Sequence, residues 1–79
     1  MENIILYGTS ECHLCEAAEK LLVSVLSEKD YTKSDIAFSQ ELFEKYSEVI
    51  PVVKRNDGKE LAWPFDSQSL RVFLFNADY

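Results

Sequence analysis

Apolar residues recur along the chain in two rhythms. Ile4-Ile5-Leu6-Tyr7 is a short unbroken run, rich in Ile and followed at once by Gly8-Thr9-Ser10. That pattern predicts a buried central strand over 3–7 ending in a polar turn. From Leu14 the rhythm changes: Leu14, Ala17, Ala18, Leu21, Leu22, Val25 and Leu26 follow the i, i+3, i+4, i+7 spacing of an amphipathic helix, with only Val23 interrupting the polar face. The helix is expected over about 11–27. Ser10 is its N-cap candidate, and Glu11 would lie in the first turn, where a carboxylate complements the helix dipole.

Residues 27–34 read as a polar connector, and Ile36-Ala37-Phe38 as a short second strand. A strand, a helix and a strand in this order form a right-handed βαβ crossover with parallel strands. Ser39 can cap a second helix carrying Leu42, Phe43, Tyr46 and Val49 on one side, which must stop before Pro51 because the residue ahead of a proline is pushed out of the α region. Residues 52–55 and 59–63 flank Asn56-Asp57-Gly58, a β-hairpin signal in which Asp-Gly supplies the positive φ angles of a tight turn. Residues 70–75 fit a strand nearly as well as a helix; Asp66 and Ser67 as caps decide for a terminal helix. The expected order is βαβαββα, without internal repeats or low-complexity tracts.

With 79 residues, 47% of them hydrophobic, the chain has room for a single domain over 1–79. At this size only about 60–65% of the unfolded surface is buried, so every apolar face must be used. Eight basic side chains against 14 acidic ones give a net charge of −6, which repels a phosphate backbone and an anionic membrane surface alike. The longest apolar run is far short of the ~20 residues of a membrane span. Met1-Glu2-Asn3 leads into the first strand with no basic n-region and no cleavage site, so the expected location is cytoplasmic. In a reducing compartment two cysteines rarely form a structural disulfide, and closing the four-residue loop from Cys12 to Cys15 is worth only about 2 kcal/mol. A bridge there points to chemistry.

Cys12-His13-Leu14-Cys15 stands at the start of the first helix, just past the carboxyl end of the first strand. Three-residue spacing on a helix brings two sulfurs within disulfide reach, and a C-x-x-C opening a helix in a βαβ unit is a redox signature. Cys12, at the helix tip, is the candidate nucleophile, because unpaired N–H groups there favour its thiolate. Cys15, beside Ala18 and Leu22 at the flank of the apolar stripe, is the candidate resolving thiol. His13 points to the polar side with Glu16 and Lys20; protonated, it would assist the Cys12 thiolate. The alternative is a pair of core cysteines that happen to be three apart. No metal is expected: zinc needs four ligands, an iron–sulfur cluster normally four thiolates, and His13 projects away from both sulfurs.

The first strand, the C-x-x-C at the next helix and Ile50-Pro51 ahead of the hairpin together resemble a glutaredoxin, within the thioredoxin-fold superfamily, over nearly the whole chain. Trp63-Pro64-Phe65-Asp66, preceded by Gly58-Lys59-Glu60-Leu61, is similar to a small, mainly bacterial branch of glutaredoxin-like proteins. The resemblance implies an α/β thioredoxin fold, a four-stranded mixed sheet flanked by three helices. It further implies a cis Pro51 facing the cysteines, an Ile50 backbone that pairs with substrate, and a shallow groove to which His13, Trp63 and Asp66 contribute. The implied function is thiol–disulfide oxidoreduction, with electrons passing to a disulfide in a protein or small molecule. Glutathione would serve as co-substrate rather than bound cofactor, or a reductase as electron donor, and the protein would act as a monomer.

The chain departs from the family pattern in ways that bear on glutathione. Cys-His-Leu-Cys replaces the usual Cys-Pro-Tyr-Cys, and no basic residue precedes Lys20 to receive a glutathione carboxylate. Only Asp66 and the Ser67 hydroxyl stand where the γ-glutamyl end would be held. Glu11, Glu16 and Glu19 flank the site instead, and one carboxylate ~6 Å away in water raises a thiol pKa by about 0.5. A more reducing, thioredoxin-like couple is expected. The competing function is a non-enzymatic adaptor that keeps the fold for its groove, with Trp63 and Phe65 as protein contacts.

Overall fold

A computed structural model of the chain describes residues 4–75; Asn3, the first residue of the expected opening strand, and the preceding Met1-Glu2 lie outside them. Strands β1 (Ile4–Gly8), β2 (Tyr31–Asp35), β3 (Val52–Lys54) and β4 (Glu60–Ala62) form one sheet in the order β2-β1-β3-β4. β1 and β2 are parallel, while β1–β3 and β3–β4 are antiparallel, so the sheet is mixed. Helices α1 (His13–Val25), α2 (Gln40–Tyr46) and α3 (Ser67–Phe75) complete the βαβαββα order of a thioredoxin-like fold. Among the described residues no helix is long and apolar enough to cross a membrane.

Side chains alternate across the sheet, and two apolar clusters result. On one face Ile4, Leu6 and Val53 meet Ala18, Leu22 and Leu26 of the α1 segment and Leu70 and Leu74 of α3, with Phe65 at the margin. On the other, Tyr7 and Val52 meet Ile36 and Tyr46. Leu22 is fully buried; full burial of such a side chain is worth about 1.5–3 kcal/mol.

The second strand is not Ile36-Ala37-Phe38 but Tyr31–Asp35, four of whose five residues lie in the expected connector over 27–34. β2 is an edge strand whose Thr32 and Lys33 are exposed, so it carries no apolar alternation to betray it. Ile36 is buried, yet it opens a single 3-10 turn, Ile36–Phe38, capped by Asp35 accepting from the Ala37 N–H at 2.9 Å. Phe38 is 88% exposed. A second 3-10 turn, Glu28–Asp30, precedes β2 and is capped by Ser27.

α1 begins two residues later than its periodicity suggests, and its N-cap is Cys12 rather than Ser10. Glu11 has φ 57°, a left-handed backbone that cannot belong to a right-handed helix, so the helix starts only after it. In the first turn Cys15 faces inward and Leu14, counted in the apolar stripe, is 50% exposed. Ser39 caps α2 as expected, accepting from the Leu42 N–H at 3.3 Å, but Tyr46 and the half-buried Leu42 make the packing while Phe43 and Val49 are exposed. After Tyr46 the chain turns, with the Val49 and Ile50 N–H groups both donating to its carbonyl.

In the hairpin only Gly58 is left-handed, at φ 94°; Asp57 is not. The Gly58 N–H donates to the Arg55 carbonyl at 3.0 Å and the Arg55 N–H to the Lys59 carbonyl at 2.9 Å. The connection is Asn56-Asp57-Gly58, as expected, with glycine at its last position supplying the one left-handed residue. Arg55 is only 7% exposed. Its guanidinium pairs with Asp57, donates to the Phe73 carbonyl at 2.6 Å and lies 4.9 Å from the centre of the Phe73 ring, which ties the hairpin to α3. Of the two cap candidates for α3, Asp66 acts: it accepts from the Ser69 N–H at 2.8 Å, and the Ser69 hydroxyl accepts from the Asp66 N–H at 3.0 Å.

Hydrogen bonds from Arg55, and then from the Lys59 N–H, hold the Asp57 carboxyl at a pKa of about 2, below its ordinary 3.8. A depressed acid stabilises the fold fully above its unfolded pKa and ceases to do so as pH falls through the folded value. Asp57 is therefore expected to titrate near pH 2 by NMR, and stability to fall between about pH 4 and pH 2. Urea titrations across that window are expected to show a smaller acid-dependent loss in Asp57→Asn than in the parent.

Candidate functional site

β1 ends at Gly8, the chain turns through Thr9, Ser10 and the left-handed Glu11, and Cys12 then opens α1. Cys12 and Cys15 are joined in a disulfide, with Cα atoms 5.2 Å apart. The two sulfurs differ in setting. Cys12 is half-buried, and its Sγ accepts from the Cys15 N–H at 3.1 Å, so it sits where unpaired helix N–H groups favour negative charge. Cys15 lies behind it with 9% of its surface exposed.

Sheet register brings two distant segments to the same edge of the molecule. Tyr7 pairs with Val52, so the preceding Pro51 lies opposite Gly8, at the end of the sheet from which the cysteine turn departs. Val52 also pairs with Ala62, and the next residue, Trp63, donates its N–H to the Pro51 carbonyl at 2.9 Å. The Ile50–Pro51 and Trp63–Pro64 peptides are both cis. Pro51 is buried, and Ile50 packs half-buried against the Tyr7 and Tyr46 cluster. The Ile50 N–H is already bonded to the Tyr46 carbonyl at 3.0 Å.

The other expected site residues fare differently. His13 is exposed as the first residue of α1. Trp63 is half-buried and meets the buried Phe65 edge-on, with ring centres 5.1 Å apart. Asp66 is committed to capping α3, and the Ser69 N–H holds its carboxyl below the ordinary range. Glu19 does not stand as an open charge near the thiols: it accepts from the Tyr31 hydroxyl at 2.8 Å and pairs with Lys33 at 3.3 Å. Among the described residues nothing pairs with Glu11 or Glu16.

Three features had no signal in the sequence pattern. A cleft of about 330 Å³ opens between the start of α1 and β2, reaching Cys15 and lined by Gly8, Ser10, Glu11, Glu16 and Lys33 among others. Lys33 enters it because β2 lies where a connector was expected. Tyr46, counted as an apolar helix position, stacks on Tyr7 at 4.6 Å and donates its hydroxyl to Glu60, which also pairs with Lys45 at 3.8 Å. Burial, and then the Glu60 bond, push the Tyr46 pKa up and keep it protonated.

Residues 3–75 match the family described as Glutaredoxin-like domain (DUF836). The X-ray structure of the structural-genomics target protein XcR50 from X. campestris superposes with a TM-score of 0.86 at 32% identity, covering 96% of this chain and 99% of that one. The solution structure of the same target gives 0.82 at 32% identity, covering 96% and 95%. No curated protein matches the sequence.

The unequal exposure of the two sulfurs has a direct test. After reduction and a brief pulse of iodoacetamide, peptide mapping by mass spectrometry is expected to find Cys12 alkylated at least about tenfold faster than Cys15. Equal labelling would mean that the two thiols are equally accessible in the reduced protein.

Proposed function

The chain belongs to the glutaredoxin-like domain family, and from that premise we propose that it is a thiol–disulfide oxidoreductase working through the Cys12–Cys15 couple. The observation that carries this reading is the asymmetry of the pair: one sulfur reachable at a helix N-terminus, the other held buried three residues behind it. The Cys12 thiolate attacks a substrate disulfide, forming a mixed disulfide and releasing one substrate thiolate. The Cys15 thiolate then attacks the Cys12 sulfur and releases the second. The protein is left with the Cys12–Cys15 disulfide, and an external thiol or a reductase returns two electrons to it.

In this reading Ile50 and Trp63, both half-buried, would border an extended substrate, and the fully buried Pro51 would act through the backbone alone. Because the Ile50 N–H is taken by Tyr46, backbone pairing at that position falls to the Ile50 carbonyl. His13, exposed at the first position of α1 beside Cys12, would be free to meet substrate as well. Asp66 is a poor holder for the γ-glutamyl end of glutathione, since its carboxylate already caps α3. Glu11 and Glu16 leave an acidic rim with no paired cation among the described residues, which disfavours anionic glutathione and favours cationic disulfides. The adaptor reading loses its main support, because Phe65 is in the core and Trp63 is half-buried against it.

Hydroxyethyl disulfide reduction tests the chemistry: Cys12→Ser is expected to abolish turnover, and Cys15→Ser to accumulate a mixed disulfide visible by mass. Parent-like activity in Cys12→Ser would end the proposal. A second comparison tests the rim. Cystamine, a dication, is expected to react about threefold or more faster than oxidised glutathione, and the ratio to shrink in high salt and in Glu11→Gln/Glu16→Gln.

A further inference from the structure

Gly8 ends β1 with no backbone need for glycine. Its φ lies outside the left-handed region, and it occupies a regular pairing position opposite Asp35 of the parallel neighbour β2. The reason for glycine is space. A Cβ built on Gly8 would lie 3.1 Å from the Cys15 Sγ and 3.2 Å from the Cys15 Cβ. Both distances fall inside ordinary van der Waals separation. Gly58, whose φ is 94° and whose Cβ would meet nothing within 4 Å, is the opposite case, present for conformation alone.

We infer that Gly8 is a positioning residue for the redox couple: its missing side chain is the seat in which the Cys15 sulfur lies when it is bonded to Cys12. The assignment rests on the oxidoreductase reading above. A side chain at position 8 presses on the Cys15 Cβ equally in both redox forms, but on the Cys15 Sγ unequally, and the difference between the forms rests on the sulfur contact alone. In the dithiol form the Cys15 Sγ can turn about χ1 away from the strand. In the disulfide form it is tethered to Cys12, which in turn is fixed as the N-cap of α1, so the sulfur has no second position to take. A methyl group at position 8 therefore raises the free energy of the disulfide more than that of the dithiol, and the couple becomes more oxidising. Gly8 and Cys15 also line the same cleft, so a side chain at 8 would narrow the solvent path to the resolving sulfur.

The test is an equilibrium, independent of turnover: protein disulfide plus dithiothreitol gives protein dithiol plus oxidised dithiothreitol, two electrons and two protons moving together. Gly8→Ala is expected to shift the constant about tenfold toward the protein dithiol, and to lower the Tm of the oxidised protein more than that of the reduced. A constant within twofold of the parent, with equal Tm losses in the two forms, would overturn the assignment. Should Gly8→Ala not fold, the same substitution in a Cys15→Ala chain decides: a recovered cooperative transition supports contact with the Cys15 sulfur, and continued failure overturns it. A parent couple that does not exchange with dithiothreitol at all defeats the oxidoreductase reading and this inference together. A parent couple that exchanges, with an unchanged constant in the variant, defeats only the role of Gly8.

Discussion

The pairing of β1 with β3 is the contact on which the rest of the molecule depends. β1 lies inside the sheet between β2 and β3, and it supplies Ile4 and Leu6 to one cluster and Tyr7 to the other. The register Leu6 to Val53 and Tyr7 to Val52 lines up the inward side chains of both strands on both faces. A slip of one residue would exchange the two faces and place Pro51 away from Gly8. In a chain of 79 residues the core and the site cannot be built from separate parts. The strand that organises the core also ends where the cysteine turn begins.

Polar groups finish what apolar packing begins. Arg55 is a buried cation, tolerable only because Asp57, the Phe73 carbonyl and the Phe73 ring all face it. Through it the hairpin turn is tied to α3, in addition to the apolar cluster that Val53 and Leu61 share with Leu70, Phe73 and Leu74. Tyr46 does similar work opposite: its ring stacks on Tyr7 while its hydroxyl reaches Glu60 across the sheet edge. These two side chains anchor each of the later elements to the β1–β3 pair. Neither is visible as a polar anchor in the sequence, where Arg55 is only the last residue of the 52–55 strand segment and Tyr46 an apolar helix position.

What was legible follows from how strongly each element declares itself locally. Strand β1 and the stripe of α1 are apolar with a clear period, and the caps Ser39 and Asp66 carry their own chemistry. C-x-x-C placement and the Ile50-Pro51 dipeptide could be read directly, and sheet register brings them to one end. What escaped was decided by tertiary context. β2 is an edge strand that needs backbone partners more than apolar side chains, so Tyr31–Asp35 passed for a connector. The α1 start was misread at Ser10 because capping statistics favour an oxygen, whereas the acceptor is the Cys12 sulfur. Glu19 looked like part of an acidic ring until β2 brought Lys33 and Tyr31 to it.

The site is mechanically separable from the core that holds it. Cys15 borders the apolar clusters without belonging to either, and the disulfide closes only the four-residue loop from Cys12 to Cys15, worth about 2 kcal/mol of chain entropy. Opening it leaves β1, α1 and their shared packing in place. A couple of this kind can cycle without unfolding anything, but for the same reason little distant structure sets its equilibrium. That equilibrium must be governed by what touches the two sulfurs: the α1 N-terminus at Cys12, the acidic rim of Glu11 and Glu16, and the bare backbone of Gly8 at Cys15. The first stabilises a thiolate and so favours the dithiol. The second disfavours that thiolate and pulls the other way. Gly8 alone acts on the disulfide itself, by leaving room for it.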